Sequence, residues 1–148
     1  MSKKEELTQA LRDAMRARDD RRKSAIRLTL AAIKNAEIEA MTEIEDSDIL
    51  AIIQKEIKSC RETIEAAERA NREDIIAESK TEIEILEAFL PRPLTIEELE
   101  ELARATIVEA GATSPREMGS VMKLLMNQVR GRADGKTVSQ IVRQLLSQ

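Results

Sequence analysis

The last quarter of the chain carries basic residues at regular helical spacing. Arg116, Lys123 and Arg130 follow one another at intervals of seven, and Lys136 and Arg143 repeat that interval. Seven residues are close to two turns of an α-helix, so each series predicts cations on one side of a helix. Aligned cations are suited to bind phosphate groups, because they displace the counterions that surround a nucleic acid. The predicted phosphate-contacting residues are Arg116, Lys123, Arg130, Arg132, Lys136 and Arg143.

The charge of the chain is distributed unevenly. Residues 1–111 carry 18 basic and 26 acidic side chains, whereas residues 112–148 carry six basic and two acidic ones. The whole chain has a net charge of −4, so a basic end follows an acidic body. This asymmetry favours a polyanionic partner. A simpler alternative stays open, since amphipathic helices need polar outer faces and lysine and arginine provide them.

The composition narrows the kind of nucleic acid. Phe89 is the one aromatic residue, and Trp and Tyr are absent. Proteins that bind single strands usually stack bases on aromatic side chains, so that mode is disfavoured. Structured RNA, recognised through its shape and backbone, fits better. We therefore expect tRNA or another structured RNA as the partner, and no DNA.

The sequence contains little that could perform catalysis. Nucleophilic catalysis usually needs a base beside an activated Ser, Thr or Cys, and the chain has no histidine. The single cysteine, Cys60, lies in the apolar stripe of a predicted helix and is predicted to be buried and inert. Two runs of glutamates are interpreted as solvated helix faces. These runs are Glu82, Glu84 and Glu87, and Glu97, Glu98, Glu100 and Glu101. We predict no catalytic residue, no metal site and no cofactor.

The elements that position these residues are predicted to be helices, in an all-α protein. Aromatic-rich alternating runs and Asn-Gly turns, the usual signals of strands, are absent. The clearest helix spans residues 46–70, where apolar residues recur at intervals of three and four. A second stripe follows between residues 76 and 90, with Asn71 as the predicted cap of its helix, and the two predict an antiparallel hairpin. Earlier helices over residues 3–17 and about 20–40 complete a bundle of about four helices.

Three further helices are predicted after Pro91-Arg92-Pro93, which stops the preceding one. Thr95–Glu98 is a capping box, and Gly111 is a natural end for the helix that it opens. Ser114–Glu117 reads as a second capping box, which opens a helix that runs to about residue 130, and Asp134 is the predicted N-cap of the last helix. All four glycines lie at or after position 111. We predict an N-terminal bundle over residues 1–91 and a C-terminal three-helix domain over residues 94–148.

The N-terminal sequence lacks the signals of export. The first twenty residues have no apolar core of a signal peptide, and Glu5, Glu6 and Asp13 argue against a transit peptide. No stretch approaches the roughly 20 apolar residues of a membrane span. One cysteine cannot form an internal disulfide. These observations predict a soluble cytoplasmic protein without a membrane partner.

The stretch EMGSVMKLLMNQVRGRADGKTVSQIVRQLL resembles the YqeY-like family. SAIRLTLAAIKNAE and ILEAFLPRPLTIEELE are also similar to that family, so the resemblance covers the full chain. The C-terminal stretch is more weakly similar to the tail domain of the GatB component of the aspartyl/glutamyl-tRNA amidotransferase. The residues that carry this second similarity are Gly119, Met122, Gly131, Ala133 and Asp134. Where that tail typically has Asn-Pro, this chain has Asp134-Gly135, and both pairs suit the start of a helix.

The resemblance implies a two-domain, all-helical fold. In the amidotransferase the tail contacts tRNA, while other domains carry out carbon–nitrogen ligation with ATP and with glutamine as amido-N-donor. This chain is too short for the catalytic part, so we expect no intrinsic enzyme activity. Three functions stay open. We favour a non-catalytic, tRNA-binding-like accessory protein over an adaptor that binds a protein through its N-terminal bundle, or an accessory component of the carbon–nitrogen ligase.

Overall fold

Seven α-helices with short connections make up the protein. A computed structural model describes residues 1–148 and contains no strand, which confirms the predicted all-α class. The helices are α1 Lys3–Arg16, α2 Asp20–Ala40, α3 Asp46–Arg69, α4 Glu73–Glu87, α5 Ile96–Ala110, α6 Met118–Val129 and α7 Gly135–Leu146. A membrane crossing would need a longer apolar stretch than any of these helices offers.

Contacts within the chain group the helices into two units. The larger unit, Met1–Leu90, contains α1 to α4, and the smaller unit, Pro91–Gln148, contains α5 to α7. The division falls at the first residue of the Pro-Arg-Pro segment, where proline cannot continue a helix. Independent folding of residues 1–91 and of residues 94–148 stays a prediction.

The larger unit is built around an aliphatic core. α3 and α4 pack against each other as a hairpin, and α2 contacts α1, α3 and α4. Intervals of three and four residues place the core side chains on one face of each helix. The fully or nearly buried residues of this core are Leu7, Ala10, Ile26, Ile33, Ile49, Ile53, Ile57, Leu86 and Phe89.

The connection between α3 and α4 differs from the prediction. We expected Asn71 to cap α4, but Arg72 occupies the N-cap position. Asn71 instead lies in the left-handed region with a φ of 55°. Asparagine tolerates that conformation better than most residues with a side chain, so Asn71 forms the turn that reverses the chain.

The smaller unit packs three helices around a second core, and each helix contacts the other two. Thr95 and Glu98 form the predicted capping box, with their reciprocal hydrogen bonds at 3.1 and 3.2 Å. Gly111 ends α5 with a φ of 67°, a conformation that glycine adopts without steric cost. The buried residues are Leu99, Ala103, Ala112, Val121, Leu125, Val129, Val138, Ile141, Val142 and Leu146.

The start of α6 also differs from the prediction. Ser114 makes no capping hydrogen bond, and Pro115–Glu117 forms a 3-10 turn before the helix begins at Met118. The Glu117 carboxylate accepts hydrogen bonds from the backbone N–H and the hydroxyl of Thr113, both at 3.2 Å. The Glu117 carboxylate thus accepts two hydrogen bonds from Thr113. In the predicted capping box it would accept only one, from the backbone N–H of Ser114.

Two adjacent leucines of α6 test the smaller core. Leu125 is fully buried, whereas Leu124 is 37% exposed. We expect Leu125→Ala to lower the free energy of unfolding of the smaller unit by about 3 kcal/mol, because it leaves a cavity. The control, Leu124→Ala, should change it by less than about 1 kcal/mol. Chemical denaturation followed by circular dichroism measures both, and equal losses in the two variants would contradict this assignment of the core.

Candidate functional site

The six predicted phosphate-contacting residues lie on different elements of the smaller unit. Lys123 lies within α6, but Arg116 precedes the helix in the 3-10 turn and Arg130 follows its last residue. A helix of 12 residues rises about 18 Å, so Arg116 and Arg130 lie near opposite ends of α6. Arg130 also leaves helical geometry, with a ψ of 127°. Of these three residues only Lys123 therefore lies within an α-helix, and the alignment of Arg116, Lys123 and Arg130 on one face stays a prediction.

The second basic series keeps its predicted alignment. Lys136 and Arg143 both lie within α7, two turns apart on one exposed side. Asp134 begins this helix as predicted, and its carboxylate accepts hydrogen bonds from the backbone N–H and the hydroxyl of Thr137 at 2.9 and 3.0 Å. The buried residues Val138 and Val142 face the core from the other side of α7. The N-cap and the core stripe together fix the direction in which the two cations point.

Four of the six cations are exposed, and two are partly buried. Arg116, Lys123, Lys136 and Arg143 are exposed and form no ion pair with a carboxylate. Arg130 and Arg132 flank the buried Gly131 in the connection between α6 and α7 and are half-buried. The exposed cations are thus the ones whose charge is available to a partner.

Arg132 has a structural role. Its Nε donates a hydrogen bond to the backbone carbonyl of Arg92 at 3.1 Å. The Arg132 carbonyl accepts a hydrogen bond from the backbone N–H of Leu94 at 2.9 Å. Gly131, with a φ of 84°, lets the backbone turn into this contact. The two hydrogen bonds attach the first residues of the smaller unit to the connection between α6 and α7.

Charge is segregated within the smaller unit. α5 carries five glutamates and one arginine, whereas α6 and α7 contain lysine and arginine but no acid. Arg92 pairs with Glu98 at 2.8 Å, and Arg104 pairs with Glu100 at 4.0 Å. α5 turns its inner face to both other helices, so its acidic outer face points away from theirs. The unit therefore has an acidic side on α5 and a basic side on α6 and α7.

Cys60 is buried, as predicted, with 8% of its surface exposed. Its thiol donates a hydrogen bond to Oε2 of Glu82 at 2.9 Å. Burial, this hydrogen bond and the nearby charges of Glu82 and Glu56 raise the pKa of the thiol to about 12. The thiolate is the reactive form of cysteine, so at neutral pH Cys60 is a poor nucleophile.

Two glutamates share the environment of Cys60. Glu82 is half-buried, so its interpretation as part of a solvated face is wrong, whereas Glu84 and Glu87 are exposed. Glu56 is also half-buried, and burial and the charge of Glu82 raise its pKa, although the hydrogen bond with Thr29 opposes the shift. No group of three or more cysteine or acidic side chains is arranged to hold a metal ion.

Thr29 connects Glu56 to the backbone of α2. The fully buried Thr29 hydroxyl lies 2.7 Å from Oε2 of Glu56 and 3.1 Å from the carbonyl oxygen of Ala25. The hydroxyl has one proton to donate, and both neighbours are acceptors when Glu56 is ionised. Donation from Thr29 to the Glu56 carboxylate favours the ionised form, so this hydrogen bond opposes the effect of burial on the pKa of Glu56.

Helical spacing could have predicted the partial burial of Glu56 and Glu82. Glu56 follows the buried Ile53 by three residues and precedes the buried Cys60 by four. Glu82 stands in the same relation to two buried residues of α4, Ser79 and Leu86. Residues three and four apart share a helix face, so these positions point toward the core whatever their polarity.

Fold and surface define a class: a small, all-helical, two-unit protein whose smaller unit has a basic side formed by its last two helices. The chain matches the family described as "Yqey-like protein" over residues 4–146. It therefore belongs to the YqeY-like family, as its resemblance predicted. The weaker similarity to the amidotransferase tail stays a prediction.

Relatives with the name "Altered inheritance of mitochondria protein 41, mitochondrial" are similar to this chain. The protein of Pyrenophora tritici-repentis is 30% identical, over 92% of this chain and 76% of its own length. The protein of Kluyveromyces lactis is 33% identical, over 89% of this chain and 69% of its own length. The protein of Eremothecium gossypii is 35% identical over 66% of this chain, which spans about half (53%) of that relative.

The names of these relatives contradict our prediction of a cytoplasmic protein. That prediction used the acids near the N-terminus as a sign against targeting. Glu5 has a structural reason to be there, because it forms a capping box with Ser2 at the start of α1. Glu6 lies in the same first helical turn, where the helix dipole favours negative charge. Residues that serve a helix in this way carry no information about the compartment.

Arg132 and Lys136 separate structural from exposed cations. We expect Arg132→Ala to lower the free energy of unfolding by about 1 kcal/mol, because it removes the hydrogen bond to Arg92. The exposed Lys136→Ala should stay within about 0.5 kcal/mol of the natural protein. Denaturant titration of the two variants measures the difference. Equal free energies of unfolding for the two variants would contradict the structural role assigned to Arg132.

Glu56 should make stability depend on pH. Its pKa in the folded protein is raised above the ordinary value of 4.5, so the folded state binds this proton more tightly than the unfolded chain does. The contribution of Glu56 to stability is therefore full below pH 4.5 and is lost as the pH rises through the raised pKa. Glu56→Gln cannot ionise and should melt at a higher temperature than the natural protein at pH 8, with the difference vanishing near pH 4.

The matched control for Glu56 is Glu84→Gln, which removes an exposed carboxylate from α4. It should leave the melting temperature nearly unchanged at both pH values. Thermal unfolding by circular dichroism at pH 4 and pH 8 gives all four comparisons. A Glu56→Gln variant that is less stable than the natural protein at pH 8 would refute the raised pKa.

Proposed function

We propose that this protein is a non-catalytic accessory protein that binds structured RNA, with tRNA as the first candidate, through α6, α7 and the turn between them. The segregation of charge in the smaller unit carries the proposal. Lys123, Lys136 and Arg143 are exposed and have no carboxylate partner, while five of the seven acids of the unit lie on α5. The other two, Glu117 and Asp134, accept hydrogen bonds from Thr113 and Thr137. Exposed cations of this kind gain affinity for RNA by releasing its counterions.

The exposure of the six cations supports a ranking of the proposed contacts. Lys136 and Arg143 lie about 10 Å apart along α7, so they can contact different phosphates of one backbone. Lys123 adds a cation from α6, and Arg116 is peripheral because it lies before that helix. Arg130 and Arg132 are half-buried, so their contribution is mainly to the local potential and, for Arg132, to the fold.

The protein contributes positioning and charge, and no chemical step is assigned to it. The resemblance to the amidotransferase tail supports tRNA as the first RNA to test, and a role in amidation would then be that of an accessory component. Recognition would depend on the shape and backbone of the RNA, because the single aromatic residue, Phe89, is buried in the larger unit and leaves no stacking platform.

A triple charge reversal tests the proposal. We expect Lys123→Glu/Lys136→Glu/Arg143→Glu to weaken binding to purified total tRNA by at least about tenfold at low salt, because three phosphate contacts become repulsive. All three side chains are exposed, so the fold should persist. Fluorescence anisotropy across a salt series measures the affinity, which for the natural protein should fall steeply as salt rises.

The control changes the same net charge elsewhere. Lys55→Glu/Lys58→Glu/Lys80→Glu alters three exposed lysines of α3 and α4 in the larger unit. If the effect depends on the basic side of the smaller unit, this control retains most of the affinity. Equal losses in both triple variants would mean that only net charge matters. No binding at low salt would refute the proposal and favour an adaptor that binds a protein through the larger unit.

A further inference from the structure

A cleft opens in the larger unit beside α2, α3 and α4. It consists of two adjoining cavities of about 300 and 420 Å³, and Thr63 and Glu82 line both of them. Leu28, Leu86 and Ile85 contribute apolar wall. Polar and charged residues make up the larger part of the lining, so the cleft suits a small ligand, or a single side chain, that carries a polar group.

The charged residues that line the cleft are carboxylates with one exception. Glu56 and Glu82 line the inner cavity, and Asp20 and Glu78 line the outer one. The only basic residue in the lining is Arg21, which pairs with Glu78 at 3.4 Å. The half-buried Glu56 and Glu82 have no cationic partner, so two acceptors face a partly enclosed space without a counter-charge.

A separate observation, the environment of Ser79, also indicates that the cleft binds a ligand. Ser79 is 7% exposed and lines the outer cavity, and its hydroxyl forms no hydrogen bond with the protein. Every fully buried polar side-chain atom has a hydrogen-bond partner, so the Ser79 oxygen must face the open space of the cleft. The Ser79 hydroxyl is therefore accessible from the cleft and free to accept a hydrogen bond from a polar ligand that enters it.

We propose that this cleft binds a primary ammonium group on an aliphatic stem, supplied by a small diamine or by a lysine side chain of another protein. An ammonium has three donors and no acceptor, which matches Glu56, Glu82 and the Ser79 hydroxyl as acceptors. The apolar wall suits the methylene stem, because such stems lie along apolar surface while the charged head reaches polar groups. This inference concerns the larger unit and is independent of RNA binding.

Calorimetric titration of the full chain with cadaverine, a five-carbon diamine, tests the site. We expect saturable one-to-one binding, and a loss of at least tenfold in affinity for Glu56→Gln and for Glu82→Gln. The matched control, Glu84→Gln, removes an exposed carboxylate of α4 outside the cleft and should bind as the natural protein does. Pentanediol, the neutral analogue, should not bind.

A second variant and a second probe complete the test. Ser79→Ala keeps every charge and should weaken cadaverine binding several-fold. This variant keeps the site testable if a glutamine variant fails to fold. A short acetylated peptide with a central lysine distinguishes the two sources of the ammonium group. Binding of the peptide indicates a lysine of a partner protein, whereas binding of cadaverine alone indicates a free diamine. Absence of saturable binding by both probes at millimolar concentrations, or equal losses in Glu82→Gln and Glu84→Gln, would overturn the proposal.

Discussion

The packing of aliphatic side chains between helices is the constraint on which both units depend. With Phe89 as the only aromatic residue, core volume has to be filled by leucine, isoleucine, valine and alanine. Such side chains pack densely when each helix presents them at intervals of three and four residues. α3 does so along 24 residues, and α4 folds back against it. α2 contacts α1, α3 and α4, and therefore closes the larger unit.

That constraint explains why the polar residues inside the larger unit stand out. Glu56 and Cys60 on α3, and Ser79 and Glu82 on α4, occupy positions that the stripe would ordinarily fill with aliphatic residues. Burial raises the pKa of Glu56 and that of the Cys60 thiol, whose hydrogen bond with Glu82 raises it further. Glu56, Cys60 and Glu82 line a cleft that opens beside α2. Buried polar groups without full compensation oppose folding. A function that uses these groups would account for their presence in an otherwise aliphatic core.

In the smaller unit, charged residues divide into those that hold the fold and those that remain available. Glu98 caps α5 and pairs with Arg92, and these contacts lower the pKa of its carboxyl to about 2. Asp134 caps α7, and Arg132 attaches the start of the unit to the connection between α6 and α7. Lys123, Lys136 and Arg143 form no cap and no ion pair of this kind. Five of the seven acids of the unit lie on α5, and neither α6 nor α7 contains an acid, so the charged residues of these two helices are all basic.

Local interactions determined much of this protein from sequence alone. The helix caps at Thr95 and Asp134 and the glycine at position 111 lie where their local chemistry predicts, and helical spacing predicted the alignment of Lys136 with Arg143. Local rules failed at Asn71 and Ser114, where more than one turn geometry suits the same residues. Only the tertiary structure decided that Arg132 binds the Arg92 carbonyl and that Glu82 accepts a hydrogen bond from Cys60. These partners lie 40 and 22 residues apart, and packing between helices, which no local pattern encodes, selects them.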